Sequence, residues 1–129
     1  MNHDDVHQLV RQWVEAWNAH DLELILSHFT DDVTFASPIA QRIVAGSDGV
    51  IVGKEALREY WREGLRLNPD LHFDVEGLYL GVGSVVINYR NQLGRLVCEV
   101  LILDGNLVRE GYGTYFDDGY TADTSAPSN

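Results

Sequence analysis

The segment from residue 71 to 116 constrains the fold most. It breaks into four runs, 71–79, 85–91, 95–103 and 107–116, each reading as a β-strand; in 95–103 both faces are apolar apart from Glu99. The separators are short: residues 81–84, 92–94 and the turn Asp104-Gly105-Asn106. Connections that short join neighbouring antiparallel strands, because a parallel pair needs a long crossover. A meander of this kind must cover one face with something else in the chain.

The first half supplies the cover. Val6, Leu9, Val10, Trp13, Val14 and Trp17 recur at spacings of three and four, which predicts a helix with one apolar stripe, and Asp4 and Asp5 suit its N-terminal end. Asp21 then caps a second short helix whose inward face is Leu22, Ile25, Leu26 and Phe29. Residues 33–37 alternate as a short strand up to Pro38, with Val33, Phe35 and Ser37 on one face. Residues 39–52 read as a hairpin or mobile loop around Ser47-Asp48-Gly49. A third helix follows Gly53, its stripe made by Leu57, Tyr60, Trp61, Gly64 and Leu65, and Asn68-Pro69 stops it. The tail, 118–129, is small and polar and is expected to be disordered. The expectation is one α+β domain over residues 1–117, with helices on one face of a curved antiparallel sheet and a pocket for a small apolar molecule between them.

Charge and composition narrow the function. Twenty acidic against nine basic residues give a formal charge of -11, which repels nucleic acid and anionic membrane surfaces, so neither is an expected partner. No apolar run approaches the roughly 18 residues that span a bilayer. The N-terminus carries no basic and apolar leader pattern, and a lone Cys98 has no internal disulfide partner, so a reducing cytoplasm is the expected compartment. His3 and His7 share a helix face but lack an HExxH pattern or a third convergent ligand, and there is no Gly-rich phosphate loop or GxSxG elbow. Neither a metal nor another cofactor is expected.

The run VEAWNAHDLELILSHFTDDVTFASP, followed by GKEALREYWREGL and a strand meander, resembles the nuclear transport factor 2-like superfamily over roughly residues 6 to 116, and specifically its SnoaL-like branch. That resemblance implies a cone: a curved sheet around a pocket, three helices closing the wide end, and a homodimer formed through the outer sheet face. Relatives of this kind include isomerases, cyclases and plain binding modules, so the fold alone does not set the chemistry. In the steroid delta-isomerases, which this chain is similar to, the general base precedes the proline that ends the first strand. That position is Ser37 here. The oxyanion-binding tyrosine corresponds to Trp13 and its supporting tyrosines to Phe29 and Trp61, whereas the second oxyanion donor, a protonated acid, corresponds to Glu99. The resemblance thus carries over the acid and drops the base.

Glu99 stands out from the residues alone. Alternation puts Val97, Glu99, Leu101 and Leu103 on one face of their strand, so Glu99 interrupts an apolar row. A carboxyl set among Trp13, Trp17, Phe35 and Tyr112 loses hydration, its pKa rises, and it becomes a proton donor near neutrality. The alternative is an ion pair with Arg90, Arg95 or Arg109 across the sheet. Tyr112 and Thr114 are expected on the pocket face of the last strand, Tyr112 as a hydrogen-bond donor beside Glu99 or as ordinary packing against the first helix. Trp13, Trp17, Phe35, Ser37, Tyr60, Trp61, Val97, Leu101 and Thr114 are the expected ligand contacts. Two readings remain open: a cofactor-free isomerase or cyclase using Glu99 as acid or base with Tyr112 assisting, and a ligand-binding or dimeric interaction module without chemistry.

Overall fold

Asn2 starts the first helix, α1 (His3–Asn18), through a reciprocal cap. Its side chain accepts from the Asp5 N–H at 2.8 Å, and the Asp5 carboxylate accepts from the Asn2 N–H at 3.2 Å. The stripe Val6, Leu9, Val10, Trp13, Ala16 and Trp17 is buried against the sheet. His20 takes a left-handed conformation (φ 55°) and turns the chain into α2 (Leu22–Leu26), whose cap Asp21 accepts from the Leu24 N–H. The computed structural model describes residues 2–121. Most of the expected tail lies outside them; residues 118–121 are exposed, with the Gly119 N–H donating to Asp117 at 2.9 Å.

Strand β1 (Phe29–Ala36) begins earlier than the sequence suggests, so Phe29 belongs to the sheet rather than to α2, although its ring is buried as expected. The stretch expected as a hairpin or mobile loop is instead a short helix, α3 (Pro38–Ile43), a turn, and strand β2 (Val50–Val52), which pairs antiparallel with β1. Ser37 caps α3, its hydroxyl accepting from the Ile39 N–H at 3.1 Å, and Pro38 occupies the first helical turn, where a missing N–H costs nothing. The helices in the first half therefore number four, not three: α4 (Lys54–Leu67) follows and buries Leu57, Tyr60 and Trp61.

The meander follows as β3 (Asp74–Gly81), β4 (Ser84–Arg90), β5 (Leu96–Asp104) and β6 (Leu107–Tyr115), antiparallel throughout. The sheet is six-stranded, curved and unclosed, in the order β2-β1-β6-β5-β4-β3. One pairing departs from the antiparallel expectation: β1 runs parallel to β6, with Phe35 opposite Gly111 and Ala36 opposite Tyr112. The long path between these strands, through α3, α4 and the meander, makes that orientation reachable.

One face of the sheet meets the helices. Val33, Phe35, Val85, Ile87, Tyr89, Val97, Leu101 and Val108 are buried there with the aromatic stripes of α1 and α4. Asn18 fixes the end of α1 to the strand leading into β3: its amide donates to the Phe73 carbonyl at 3.1 Å and accepts from the Phe73 N–H at 2.8 Å. His20 Nε2 donates to the Leu71 carbonyl at 2.8 Å beside it. No helix among the described residues is long and apolar enough to cross a membrane.

Candidate functional site

The curved inner face and the helices leave a cavity of about 670 Å³. That volume lies in the range of sites for drug-sized ligands. Exposure sorts its lining into a floor and a rim. Trp17, Phe35, Ser37, Tyr60, Trp61, Phe73, Tyr89, Glu99 and Gly113 are buried; Pro38, Gln41, Arg42, Leu67, Leu93 and Arg95 are exposed. The floor is held by aromatic packing: Trp61 meets Trp17 edge-on at 5.0 Å and Phe35 at 5.3 Å, and Phe73 lies on Tyr89 at 4.1 Å.

Glu99 sits mid-strand on β5, opposite Ile87 of β4 and Gly113 of β6. It is 8% exposed, and among the described residues it has no ion-pair partner; Arg90, one candidate partner, binds Glu76 instead. Tyr89 Oη donates to Glu99 Oε1 at 3.3 Å. Burial raises the Glu99 pKa to about 7, and the hydrogen bond from Tyr89 opposes that shift without cancelling it. Burial also pushes Tyr115 up to about 12 and raises Tyr89 and Tyr60, with the nearby Glu99 charge adding to each. All three phenols keep their protons at neutral pH and are hydrogen-bond donors. Ser37, held in its capping role, has its hydroxyl beside Tyr60 and Tyr115. A buried acid that is half-protonated near neutrality, with phenols around it, can donate to a carbonyl oxygen and exchange its proton at little cost.

The expected contacts divide. Trp17, Phe35, Ser37, Tyr60, Trp61 and Glu99 line the cavity together. Trp13, Val97 and Leu101 do not: each is 1% exposed and packed behind the wall, Trp13 stacking on Phe73 at 5.6 Å. Tyr112 and Thr114 are on the wrong face. Tyr112 pairs with Val100 and Thr114 with Cys98 on the outer side, and Thr114 Oγ1 donates to the Cys98 carbonyl at 2.6 Å. The inner positions of β6 are Gly111, Gly113 and Tyr115, and at the two glycines β1 packs too closely for a side chain. A Cβ at Gly111 would lie 2.9 Å from Phe35 Cδ1, and one at Gly113 would lie 3.3 Å from Ser37 Oγ.

Tyr89 and Tyr115, the phenols diagonal to Glu99 across Val97, were missed from sequence. Their signal was the alternation Val85, Ile87, Tyr89 and the glycines at 111 and 113, which mark close backbone approach. His28 is outside the lining, and burial lowers its pKa. Among the described residues no three His, Cys, Asp or Glu side chains gather as a metal site would require.

A family model described as a SnoaL-like domain matches residues 10–95. No curated protein matches the chain. Among solved structures, a SnoaL-like protein of unknown function from Burkholderia thailandensis E264 is 42% identical, with a TM-score of 0.84 over 91% of this chain and 99% of that one. A putative ketosteroid isomerase from Kribbella flavida DSM 17836 shares the fold at 17% identity, with a TM-score of 0.71 over 97% and 84% of the two chains. TerC, co-crystallised with polyporic acid, shares it at 12% identity, with a TM-score of 0.72 over 87% and 92%. The family match across most of the chain and the close Burkholderia relative agree with the cavity-bearing sheet and helices, and the chain belongs to the SnoaL-like family.

Proposed function

We propose that this protein binds a small ring-bearing molecule in the cavity and that protonated Glu99 donates to a carbonyl oxygen of that ligand. One observation carries the reading: the cavity floor is largely aromatic and holds a single buried carboxyl that has no charged partner among the described residues. A carboxylic acid held neutral this way polarises a bound ketone at its oxygen, so that water or buffer base removes the α-proton more readily and the enol is stabilised, which is the step a cofactor-free isomerase or cyclase requires. Tyr89 orients the acid, and Tyr60 and Tyr115 are further donors nearby. The small molecule held by TerC, which has the same fold, is consistent with such an occupant.

A second reading, a binding module without chemistry, is favoured by one observation: Ser37 stands where the related isomerases carry their base, and its hydroxyl is committed to capping α3. Deuterium exchange separates the two readings. Incubation of 2-tetralone with the protein in D₂O, followed by proton NMR, should show α-hydrogen exchange faster than buffer, lost in Glu99→Gln. Binding without accelerated exchange selects the module. No binding by calorimetry of 2-tetralone or of larger ring ketones overturns both.

The outer sheet face presents Val50, Ala36, Tyr112, Val100, Val86 and Tyr79 in register across all six strands. A continuous apolar row is what a second copy covers in a homodimer, and we assign that role to it. Cys98 lies half-buried on the same face with no disulfide partner, in keeping with a reducing cytoplasm.

A further inference from the structure

The rim of the cavity reverses the electrostatic character of the chain. Of its basic residues, Lys54, Arg58, Arg62, Arg66 and Arg90 each have a carboxylate partner. Among the described residues Arg11, Arg42, Arg95 and Arg109 have none, and two of these, Arg42 and Arg95, line the cavity. Arg42 is in the last turn of α3 and Arg95 enters β5, so two separate elements bring a free guanidinium to one opening. The lining holds no other basic residue and no acid but Glu99. In a chain of formal charge -11, this is a local positive site over an aromatic floor.

The charge is felt inside. Arg42 acts on both Tyr60 and Tyr115, favouring their ionised forms against the burial that raises them. Protonated Glu99 adds no negative charge below neutrality, so the lining is then at its most positive. Guanidinium forks match a planar carboxylate and leave its ring free to lie on Trp61, Phe35 and Tyr60.

We infer that the cavity selects ring-bearing organic carboxylates, the carboxylate held by Arg42 and Arg95 at the rim and the ring system on the aromatic floor. The inference rests on the ligand-binding reading above and gives its ligand a charge. Isothermal titration with an isosteric pair, 2-naphthoate and 2-naphthamide, at pH 6 and low salt tests it. Naphthoate should bind about tenfold more tightly than naphthamide, a ratio in keeping with two partly exposed charge pairs. Added salt should shrink the ratio. In the R42Q/R95Q double variant the two ligands should bind alike, while R109Q, an arginine outside the cavity, should keep the preference. Urea midpoints confirm that the variants fold. Equal binding of the two ligands to the wild type overturns the charge assignment and leaves the ligand-binding reading intact. Failure of both ligands to bind overturns the inference together with that reading.

Discussion

Burial of Glu99 makes folding stability fall as pH rises through neutrality. Its folded-state pKa is about 7, against 4.5 for the same carboxyl in the unfolded chain. Between those values the folded protein holds a proton that the unfolded chain releases, so stability is full below about 4.5 and is lost as pH passes 7. Integrating the difference from pH 5 to pH 8 gives a loss of about 2.5 kcal/mol from this one group. Glu99→Gln keeps the shape and a hydrogen-bonding head but cannot titrate, so its stability should lack that loss. The assay is urea unfolding followed by tryptophan fluorescence at pH 5, 6, 7 and 8, on wild type and variant, with slopes checked for two-state behaviour. The wild-type curve should fall relative to the variant by about 2.5 kcal/mol across the range. Parallel curves would refute the reasoning, because they would mean that Glu99 is ionised in the folded state or already solvated.

Gly111→Ala should destabilise by about 1–3 kcal/mol, since its Cβ would press on the Phe35 ring; urea midpoints measure it. Trp61→Ala removes a ring that packs on Trp17, Phe29 and Phe35 and should cost about 3–5 kcal/mol, read the same way. Tyr112→Ser, on the outer face, should leave 2-naphthamide affinity within about twofold of wild type by calorimetry, a change below ~0.5 kcal/mol. Light scattering should give twice the 14.5 kDa chain mass, and Val100→Glu in the middle of the outer row should return the monomer.

The helices and the meander were legible because each carries one unambiguous period. The Trp13–Trp17 stripe of α1 and the Tyr60–Trp61 stripe of α4 have no competing strand reading, and glycine turns separate the strands of the meander. Residues 39–52 were not legible. Ile39, Ile43, Val50 and Val52 suit a helix or a strand, and Pro38 ends one strand while also opening α3. In the structure Ser37 and Pro38 open α3 as its cap and first residue, a pattern that marks a helix start as well as a strand end. The parallel pairing of β1 with β6 is fixed by packing between distant segments, and no local pattern reports it.

At the site, Glu99 was found because a carboxyl in an apolar row is rare. The neighbours assigned to it were wrong by one residue on β6. Large side chains were expected inward, yet Phe35 fills the space over Gly111 and sends Tyr112 out, so Tyr115 faces in. A one-residue change of face swaps every contact along a strand. The rim arginines escaped notice because Arg42 lies in the misread segment and Arg95 appeared only as a partner for Glu99.

The most direct test of a neutral acid in the cavity is the titration of Glu99 itself. Carboxyl ¹³C chemical shifts of glutamate-labelled protein, with the Glu99 signal assigned by its absence in Glu99→Gln, give its protonation at each pH. A midpoint near 7 is the predicted result. A midpoint at or below the unperturbed value of 4.5 would contradict it, because Glu99 would then be an ordinary carboxylate with nothing to donate.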